Sequence, residues 1–237
     1  RSLFGVNTLD SFGNFNRAEV SAMGALVDYL DITQKGKLPL LQPPVAEALD
    51  RVVQIDAATR RNLELTRSLS GSRSGSLLSV IDRTVTPGGA RLLEQRLSSP
   101  SRDLDRIQNR LSAVTFAIDD PRLSEDLRAA LRKTPDLDRA LSRLSLDRGG
   151  PRDLAAIRNG LEQAAVIAGL CQAPDLPDIV ATGILALVGF DDLSGLLDAA
   201  LVAEPPLLAR DGGFIATGYD QELDYARELR DEGRSVV

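Results

Sequence analysis

The chain has 237 residues, of which 43% are hydrophobic, enough for one large or two modest domains with a buried core. His and Trp are absent, and Cys171 and Met23 are the only cysteine and the only methionine. These absences exclude a Ser-His-Asp triad, a Cys-His dyad and a thiolate or imidazole zinc site built from this chain alone. The net charge is −6, with an excess of arginine in residues 51–110 and of acidic side chains in residues 171–237.

A single cysteine excludes an internal disulfide and fits a reducing compartment. Cys171 lies among Ala, Ile and Leu, which predicts a buried small hydrophobe rather than a reactive thiol. The longest apolar stretch, residues 179–190, is too short to cross a bilayer and is predicted to be core. Because the chain opens on Arg1 and stops at Val237 inside a charged segment, we expect an internal piece of a larger protein.

The first 55 residues contain one clear helix. Residues 3–15 are rich in β-formers punctuated by Gly and Asn, which predicts a strand and a loop. Apolar residues at three- and four-residue spacing predict an amphipathic helix over 17–34. Residues 35–48 contain Lys-Gly-Lys and three prolines, which indicates an extended linker and a domain boundary.

The next segment mixes an ambiguous stretch, a loop and two helices. Residues 51–66 begin with an extended Val-Val-x-Ile entry, and residues 71–76 have the composition of a flexible Gly/Ser loop. A short helix is predicted over 77–81. Thr86 is a cap before Pro87, and the helix that follows is predicted to reach Leu97. Its inward-facing residues are predicted to be Leu92, Leu93 and Leu97.

Six more helices are predicted from periodic apolar residues between short polar or proline breaks, as in a helical domain with antiparallel neighbours. Asp211-Gly212-Gly213 is predicted to be a turn between the last two of them. The apolar positions that define the helices are Ile107/Leu111/Val114/Ile118, Leu123/Leu127/Leu131, Leu137/Leu141/Leu144, Leu154/Ile157/Leu161/Ala164 or Ala165, residues 193–202, and Leu223/Ala226/Leu229.

The sequence offers no catalytic or binding motif of its own. The glycine-rich loop 71–76 lacks the Lys of a P-loop, and no dinucleotide-binding glycine motif opens a helix. Paired carboxylates stand at predicted helix starts, where capping is the better interpretation than acid–base chemistry. These pairs are Asp119-Asp120, Asp136/Asp138 and Asp191-Asp192. No catalytic, cofactor-binding or metal-binding residue is therefore predicted.

The arginine-rich region 51–110 has two interpretations. It carries eleven Arg against six acidic residues, whereas residues 171–237 carry four Arg against thirteen acidic residues. Such a region could contact DNA phosphates, which would make binding by the isolated chain salt-sensitive. An ordinary solvated helical surface is favoured, because the arginines alternate with acids and no aromatic ladder accompanies them.

Four ordered strings are more specific than these patterns. They are DAATRRNLEL at 56–65, LLSVIDRTVTPGGARLL at 77–93, DLDRALSRL at 136–144 with GPRDL at 150–154, and RDGGFIATGYDQELD at 210–224. In this order they closely resemble the bacterial MutS mismatch-repair family, over essentially the whole chain. Gly88 departs from the family, whose members often have Met there, and should weaken the helix start by up to ~1 kcal/mol.

The resemblance implies a mainly α fold. It is that of the multi-helical MutS core or lever domain, preceded by the last strand and helix of an α/β connector domain. Residues 1–34 correspond to the end of the connector domain, 35–55 to the linker, and 56–237 to the core or lever domain, up to the approach to the clamp.

The resemblance also implies that the chain is an internal, non-enzymatic segment of a mismatch-recognition ATPase. The wedge, clamp and Walker motifs of the family have no counterpart in these residues, so ATP and magnesium belong to the full-length protein. Implied partners of that protein are mismatched double-stranded DNA, a second MutS subunit and a MutL-type protein. No membrane is implied, the location is the bacterial cytoplasm, and the segment alone is expected to be a monomer.

We hypothesise that 56–237 relays nucleotide-driven motion from ATPase to clamp, with the turn at 211–219 positioning the final helix. Simple chain reversal is equally compatible with the turn residues. Valine at both Gly212 and Gly213 is expected to uncouple ATP from DNA release while sparing folding. A helical protein-docking scaffold and direct DNA-backbone binding through 51–110 stay open as alternatives.

Overall fold

The regular secondary structure is almost entirely helical, in a computed structural model that describes residues 2–36, 38–46 and 51–235. The mainly α prediction is confirmed. The helices of the described residues are α1 (Arg17–Thr33), α2 (Ala57–Asn62), α3 (Leu77–Ile81), α4 (Pro87–Ser98), α5 (Leu104–Asp119), α6 (Pro121–Lys133), α7 (Leu137–Ser145), α8 (Pro151–Leu170), α9 (Asp178–Leu185), α10 (Asp191–Ala200) and α11 (Gln221–Ser235). None of these helices is long and apolar enough to cross a membrane.

Most helix starts are fixed by a side chain that accepts a hydrogen bond from a backbone N–H of the first turn. Thr86 accepts from the N–H of Gly89 at 3.0 Å, ahead of Pro87, as predicted. The other side chains that cap in this way are Asn16, Asp56, Ser76, Asp103, Asp120 and Asp136. Local sequence therefore determines where these helices begin.

Helix α8 is the centre of the fold. It packs against α6, α7, α9 and α10. Its covered face is built mainly from small residues, which let neighbouring backbones approach. Gly160 is a point of close packing, since a Cβ atom there would lie 2.9 Å from Cγ of Leu137. The buried residues of α8 are Pro151, Ala155, Arg158, Gly160, Ala164, Ile167 and Ala168.

The strand predicted within residues 3–15 is wrong. The chain there forms two short 3₁₀ turns, Ser2–Phe4 and Asp10–Phe12. Gly5 and Gly13 have φ angles of 63° and 130°, which bend the backbone out of an extended path. The turns are held together by the rings of Phe4 and Phe12, whose centroids lie 5.5 Å apart in an edge-to-face arrangement.

The linker prediction agrees with the described part of the segment, since residues 38–46 contain no helix or strand. Residues 37 and 47–50 lie outside the described residues. At the far end, Val52 forms an antiparallel bridge with Ser101 in the connection between α4 and α5. The bridge is flanked by two backbone hydrogen bonds of 2.8 Å, Val53 N–H to Pro100 and Arg102 N–H to Arg51. The division into 1–34, 35–55 and 56–237 stays a prediction.

Several predicted core residues are exposed, although the helices that carry them are confirmed. Helix α5 packs against α6 and α9 through its other side, which leaves Leu111, Val114 and Ile118 59%, 53% and 68% exposed. Leu92 on α4 is exposed too, and residues 179–190 are not the compact core that was predicted. Periodicity identified the helices, but it did not show which apolar faces find a partner.

The Gly/Ser loop is more ordered than its composition predicts. Ser68 and Ser72 close it by a backbone hydrogen bond of 2.8 Å, and Arg73 pairs with Asp82 across its base. Ser76, at its end, has no exposed surface and caps α3. The loop is therefore a hydrogen-bonded unit rather than a flexible connector.

Candidate functional site

The predicted turn before the last helix is present. The chain makes a 3₁₀ turn at Ala209–Asp211, followed by Gly212 and Gly213 with φ angles of 67° and 71°. Residues 214–216 then pair with the end of α10. In this pairing the N–H of Val202 donates to Phe214 O at 3.0 Å, and the N–H of Ala216 donates to Ala200 O at 2.9 Å.

The start of α11 is tied to residues 215–218 by side chains of its first two helical turns. Asp220 caps the helix by accepting from the N–H of Leu223 at 2.9 Å. Asp224 accepts from the N–H of Gly218 at 2.6 Å. Arg227 donates to Asp224 and to the carbonyl oxygen of Ile215, both at 2.9 Å. The direction of α11 is thus coupled to the position of the turn.

Residues 201–203, beside the segment 214–216, are held by a buried arginine. Arg158, on the covered face of α8, is 9% exposed. Its guanidinium donates to the carbonyl oxygens of Val202 at 3.2 Å and Ala203 at 2.9 Å, with a longer contact of 3.5 Å to Leu201. A buried cation needs such hydrogen bonds to offset its desolvation.

A second arginine of α8 joins the same segment, because Nε of Arg152 donates to the carbonyl oxygen of Pro205 at 3.3 Å. The contacts therefore run without a break from the central helix α8 to residues 201–205, on to residues 214–216, and from there to α11. This arrangement has no nucleophile or proton-transfer pair. It can transmit a displacement between α11 and the helical body.

The two turn glycines change how the relay hypothesis has to be tested. Valine at Gly212 or Gly213 would have to adopt a positive φ, which costs about 1–3 kcal/mol per residue. The double valine variant would therefore lose stability together with any coupling. The expectation that it spares folding is not supported by the backbone.

The paired carboxylates lie at helix starts as predicted, except that Asp119 is the last residue of α5. Asp120 and Asp136 cap α6 and α7, and Asp191 and Asp192 lie in the first turn of α10. Asp136 has a second role, because Arg91 of α4 binds both of its carboxylate oxygens, at 3.0 and 3.1 Å. These hydrogen bonds lower the pKa of Asp136, so its carboxylate is a structural anion rather than a proton donor.

Arg91 makes a further ion pair with Asp138, at 3.0 Å, and so joins α4 to the start of α7.

Cys171 is buried at the end of α8, as predicted, and burial raises the pKa of its thiol. Among the described residues, no three His, Cys, Asp or Glu side chains are grouped as a metal site would require.

The structure divides the arginine-rich region into two sets. Several of its arginines bind acidic side chains or carbonyl oxygens nearby, including Arg73 with Asp82 and Arg91 with Asp136 and Asp138. A second set lines one groove between α4, α5 and the end of the linker. This set consists of Arg51, Arg96, Arg106 and Arg110.

Sequence reasoning missed the arginines that connect α8 and α11 to the turn. Arg158 had a usable signal, since it lies four residues after Leu154 and three before Leu161, in the middle of an apolar stripe. A charged residue at such a position either lies at the edge of the apolar stripe or is buried and bound by hydrogen-bond partners. For Arg227 the i,i+3 spacing from Asp224 signals an ion pair on α11, but nothing in the sequence points to its second partner, the Ile215 carbonyl.

Comparison with known proteins places this arrangement in a family. The family model described as MutS domain III matches residues 58–236. Proteins named DNA mismatch repair protein MutS are 76% identical in Ruegeria pomeroyi over 235 residues and 68% identical in Cereibacter sphaeroides over 236 residues. Another of that name, from Paracoccus denitrificans, is 63% identical over 236 residues.

These matches cover 99–100% of the chain and 27% of each relative, so the chain spans about a quarter of their length. The strings that carry the resemblance, at 56–65, 77–93, 136–144, 150–154 and 210–224, all fall within the matched range or at its start. The chain belongs to the MutS family, and residues 58–236 are its domain III.

Proposed function

We propose that residues 56–237 are the internal structural and relaying segment of a MutS-like protein that recognises mispaired DNA and initiates mismatch repair. The name shared by the relatives supports mismatch repair, and the match to domain III supports an internal position. The observation that carries the relaying role is the pair of contacts from Arg227, which join α11 to Asp224 and to the Ile215 carbonyl.

The chemistry of the longer protein lies outside this segment in our proposal. The chain has no G-x-x-x-x-G-K-[ST] sequence to hold a nucleotide phosphate, so ATP hydrolysis and its magnesium ion are assigned to the remainder of the protein. Mismatched double-stranded DNA, a second MutS subunit and a MutL-type protein are its proposed partners. The proposed location is the bacterial cytoplasm.

The relay is proposed to work as a rigid-body connection. Packed helices have a few discrete arrangements rather than a continuous range, so a shift at one end of a stiff helix is passed on instead of absorbed. A rotation of α11 pulls on the Ile215 carbonyl through Arg227. The bridge between Leu201 and Ile215 carries this pull to the carbonyls bound by Arg158, and hence to α8.

The test uses Arg227→Met in the full-length protein that carries this chain, because methionine keeps the apolar stem and removes the donors. We expect mismatch binding without nucleotide and steady-state ATP hydrolysis to change less than twofold. We expect ATP-induced release from mismatched DNA to slow by about tenfold, the equivalent of roughly 1.4 kcal/mol. Release is measured by stopped-flow fluorescence on labelled mismatched duplex.

Arg230→Met is the matched control, since Arg230 lies one turn further along α11, is exposed, and pairs with neighbouring Asp231 rather than with the turn. This variant should release DNA at the parent rate. Normal release by Arg227→Met, with a melting temperature equal to that of the control, would show that the turn only reverses the chain.

A further inference from the structure

The groove between α4, α5 and the end of the linker has an unusual charge composition. Four arginine side chains line it, and no acidic residue does so among the residues that the structure describes. Its other lining residues are apolar or neutral: Val45, Ala46, Val52, Leu92, Gln95 and Ser99. Glu47 and Asp50 belong to the stretch 47–50, outside the described residues, and the groove is defined without them.

The fold brings these arginines together from three separate segments. Arg96 lies in the last turn of α4, and Arg106 and Arg110 lie one turn apart on α5. The bridge between Val52 and Ser101 fixes Arg51 beside them. Like charges four residues apart on a helix are destabilising, so the Arg106 and Arg110 pair is not explained by helix stability.

Two of the guanidinium groups also have a hydrogen-bond donor that the described residues leave unsatisfied. The Nε atoms of Arg96 and Arg110 are buried and have no hydrogen-bond partner within the described part of the chain. A buried donor without a partner is costly, and each such case calls for an explanation such as an unseen ion. Burial, together with the nearby charges of Arg96 and Arg106, lowers the pKa of Arg110, so the arginines of the groove repel one another.

We propose that this groove binds a compact polyanion of the phosphate class. Planar guanidinium groups bind phosphate oxygens through two parallel hydrogen bonds, and four of them match a ligand with several negative charges close together. The groove volume of about 690 Å³ is within the range of small-ligand sites. Gln95 and Ser99 add neutral hydrogen-bonding groups to the lining.

The phosphate can come from a free polyphosphate compound or from a nucleic-acid backbone. No aromatic residue lines the groove among the described residues, so stacking on a base contributes nothing there. An acidic protein segment is a different class of partner. It is disfavoured because a phosphate group presents more acceptor oxygens at one point than a carboxylate does, and four converging guanidinium groups require several acceptors close together.

The first experiment titrates the 237-residue chain with inorganic tripolyphosphate in low-salt buffer by isothermal calorimetry. We expect binding that weakens steeply between about 50 and 200 mM salt. Arg96→Gln and Arg110→Gln should each weaken it by about tenfold, the usual scale for losing a charge-assisted hydrogen bond. Arg110→Lys, which keeps the charge but loses the planar fork, should give an intermediate affinity.

Arg122→Gln is the matched control, because it removes the same charge from an exposed position on α6. Its affinity for tripolyphosphate should stay within twofold of the parent. Absence of tripolyphosphate binding at low salt overturns the proposal. Equal weakening by Arg122→Gln and Arg110→Gln also overturns it, since the binding would then come from diffuse surface charge.

A second arm identifies the source of the phosphate. If a duplex oligonucleotide displaces tripolyphosphate, and if its binding requires Arg96 and Arg110, the phosphate belongs to a nucleic-acid backbone. If tripolyphosphate binds and the duplex does not displace it, the ligand is a free polyphosphate. Tighter binding of a Glu-rich peptide than of tripolyphosphate overturns the phosphate class. None of these results depends on Arg227, so the relay and the groove are tested separately.

Discussion

Helices α1 and α8 are similar in length but differ in how they are covered. Each has a carboxylate that accepts the N–H of its N-cap residue, Glu19 for α1 at 2.7 Å and Asp153 for α8 at 2.8 Å. Helix α8 nevertheless buries seven residues, whereas none of the residues of α1 is buried. Local sequence thus suffices to begin both helices, while tertiary contacts alone decide which of them forms a core.

The residues on the two helices fit this difference. The covered face of α8 combines small side chains with one arginine that has three carbonyl partners. Helix α1 instead leaves large apolar side chains in solvent, with Leu26, Tyr29 and Ile32 exposed by 55%, 64% and 77%. An uncovered face of this kind is typical of a surface that meets another part of an assembly.

The largest effect is expected at the buried arginine of α8. Arg158→Met keeps the apolar stem but leaves the carbonyls of residues 201–203 without their donors, which should lower the free energy of unfolding by about 2–4 kcal/mol. Urea unfolding followed by circular dichroism measures this change. Arg122→Met on exposed α6 is the control, and a loss below about 1 kcal/mol for Arg158→Met would show that water replaces the guanidinium.

Two glycines on α8, one packed against α7 and one in open space, allow covered and uncovered positions to be compared within one helix. Gly160→Ala places a methyl group against Leu137 and should lower stability by about 1–3 kcal/mol through overpacking. Gly169→Ala meets no atom within 4 Å and should raise stability by up to about 1 kcal/mol through helix propensity. Thermal melts of the two variants should therefore shift in opposite directions, and equal shifts would contradict the close contact between α7 and α8.

The smallest effect is expected on α1. Leu26→Gln exchanges an exposed apolar side chain for a polar one of similar helix propensity, so the free energy of unfolding should change by less than about 0.5 kcal/mol. The same urea experiment measures it. A loss above about 1.5 kcal/mol would mean that Leu26 is packed in solution and that α1 belongs to the core.

The helices were largely predictable because their signals are local. Asp-Pro at 120–121 and Thr-Pro at 86–87 fixed two helix starts, and apolar spacing fixed the type of each long element. The strand predicted in residues 3–15 failed because β-propensity describes residues that have a neighbouring strand to pair with. Here Gly5 and Gly13 bend the chain instead.

The candidate site was predictable only in part. The turn at 211–213 follows from its glycines, but the arginines that bind its surroundings do not follow from any motif. Arg158 binds backbone carbonyls 44 and 45 residues away, and Arg227 binds one 12 residues away. Such partners have no signature in a string of residues. The groove shared by Arg51, Arg96, Arg106 and Arg110 is likewise visible only when the linker end lies beside α4 and α5.

The contact between Arg158 and the backbone has a consequence for how the family can vary. Every amino acid carries the same carbonyl group, so replacements at Val202 or Ala203 preserve the acceptors whatever the new side chain is. Arg158 can therefore stay the same while the side chains at residues 202 and 203 change, and the contact does not require paired substitutions. Methods that infer proximity from correlated substitution will pass over this connection between α8 and the base of α11.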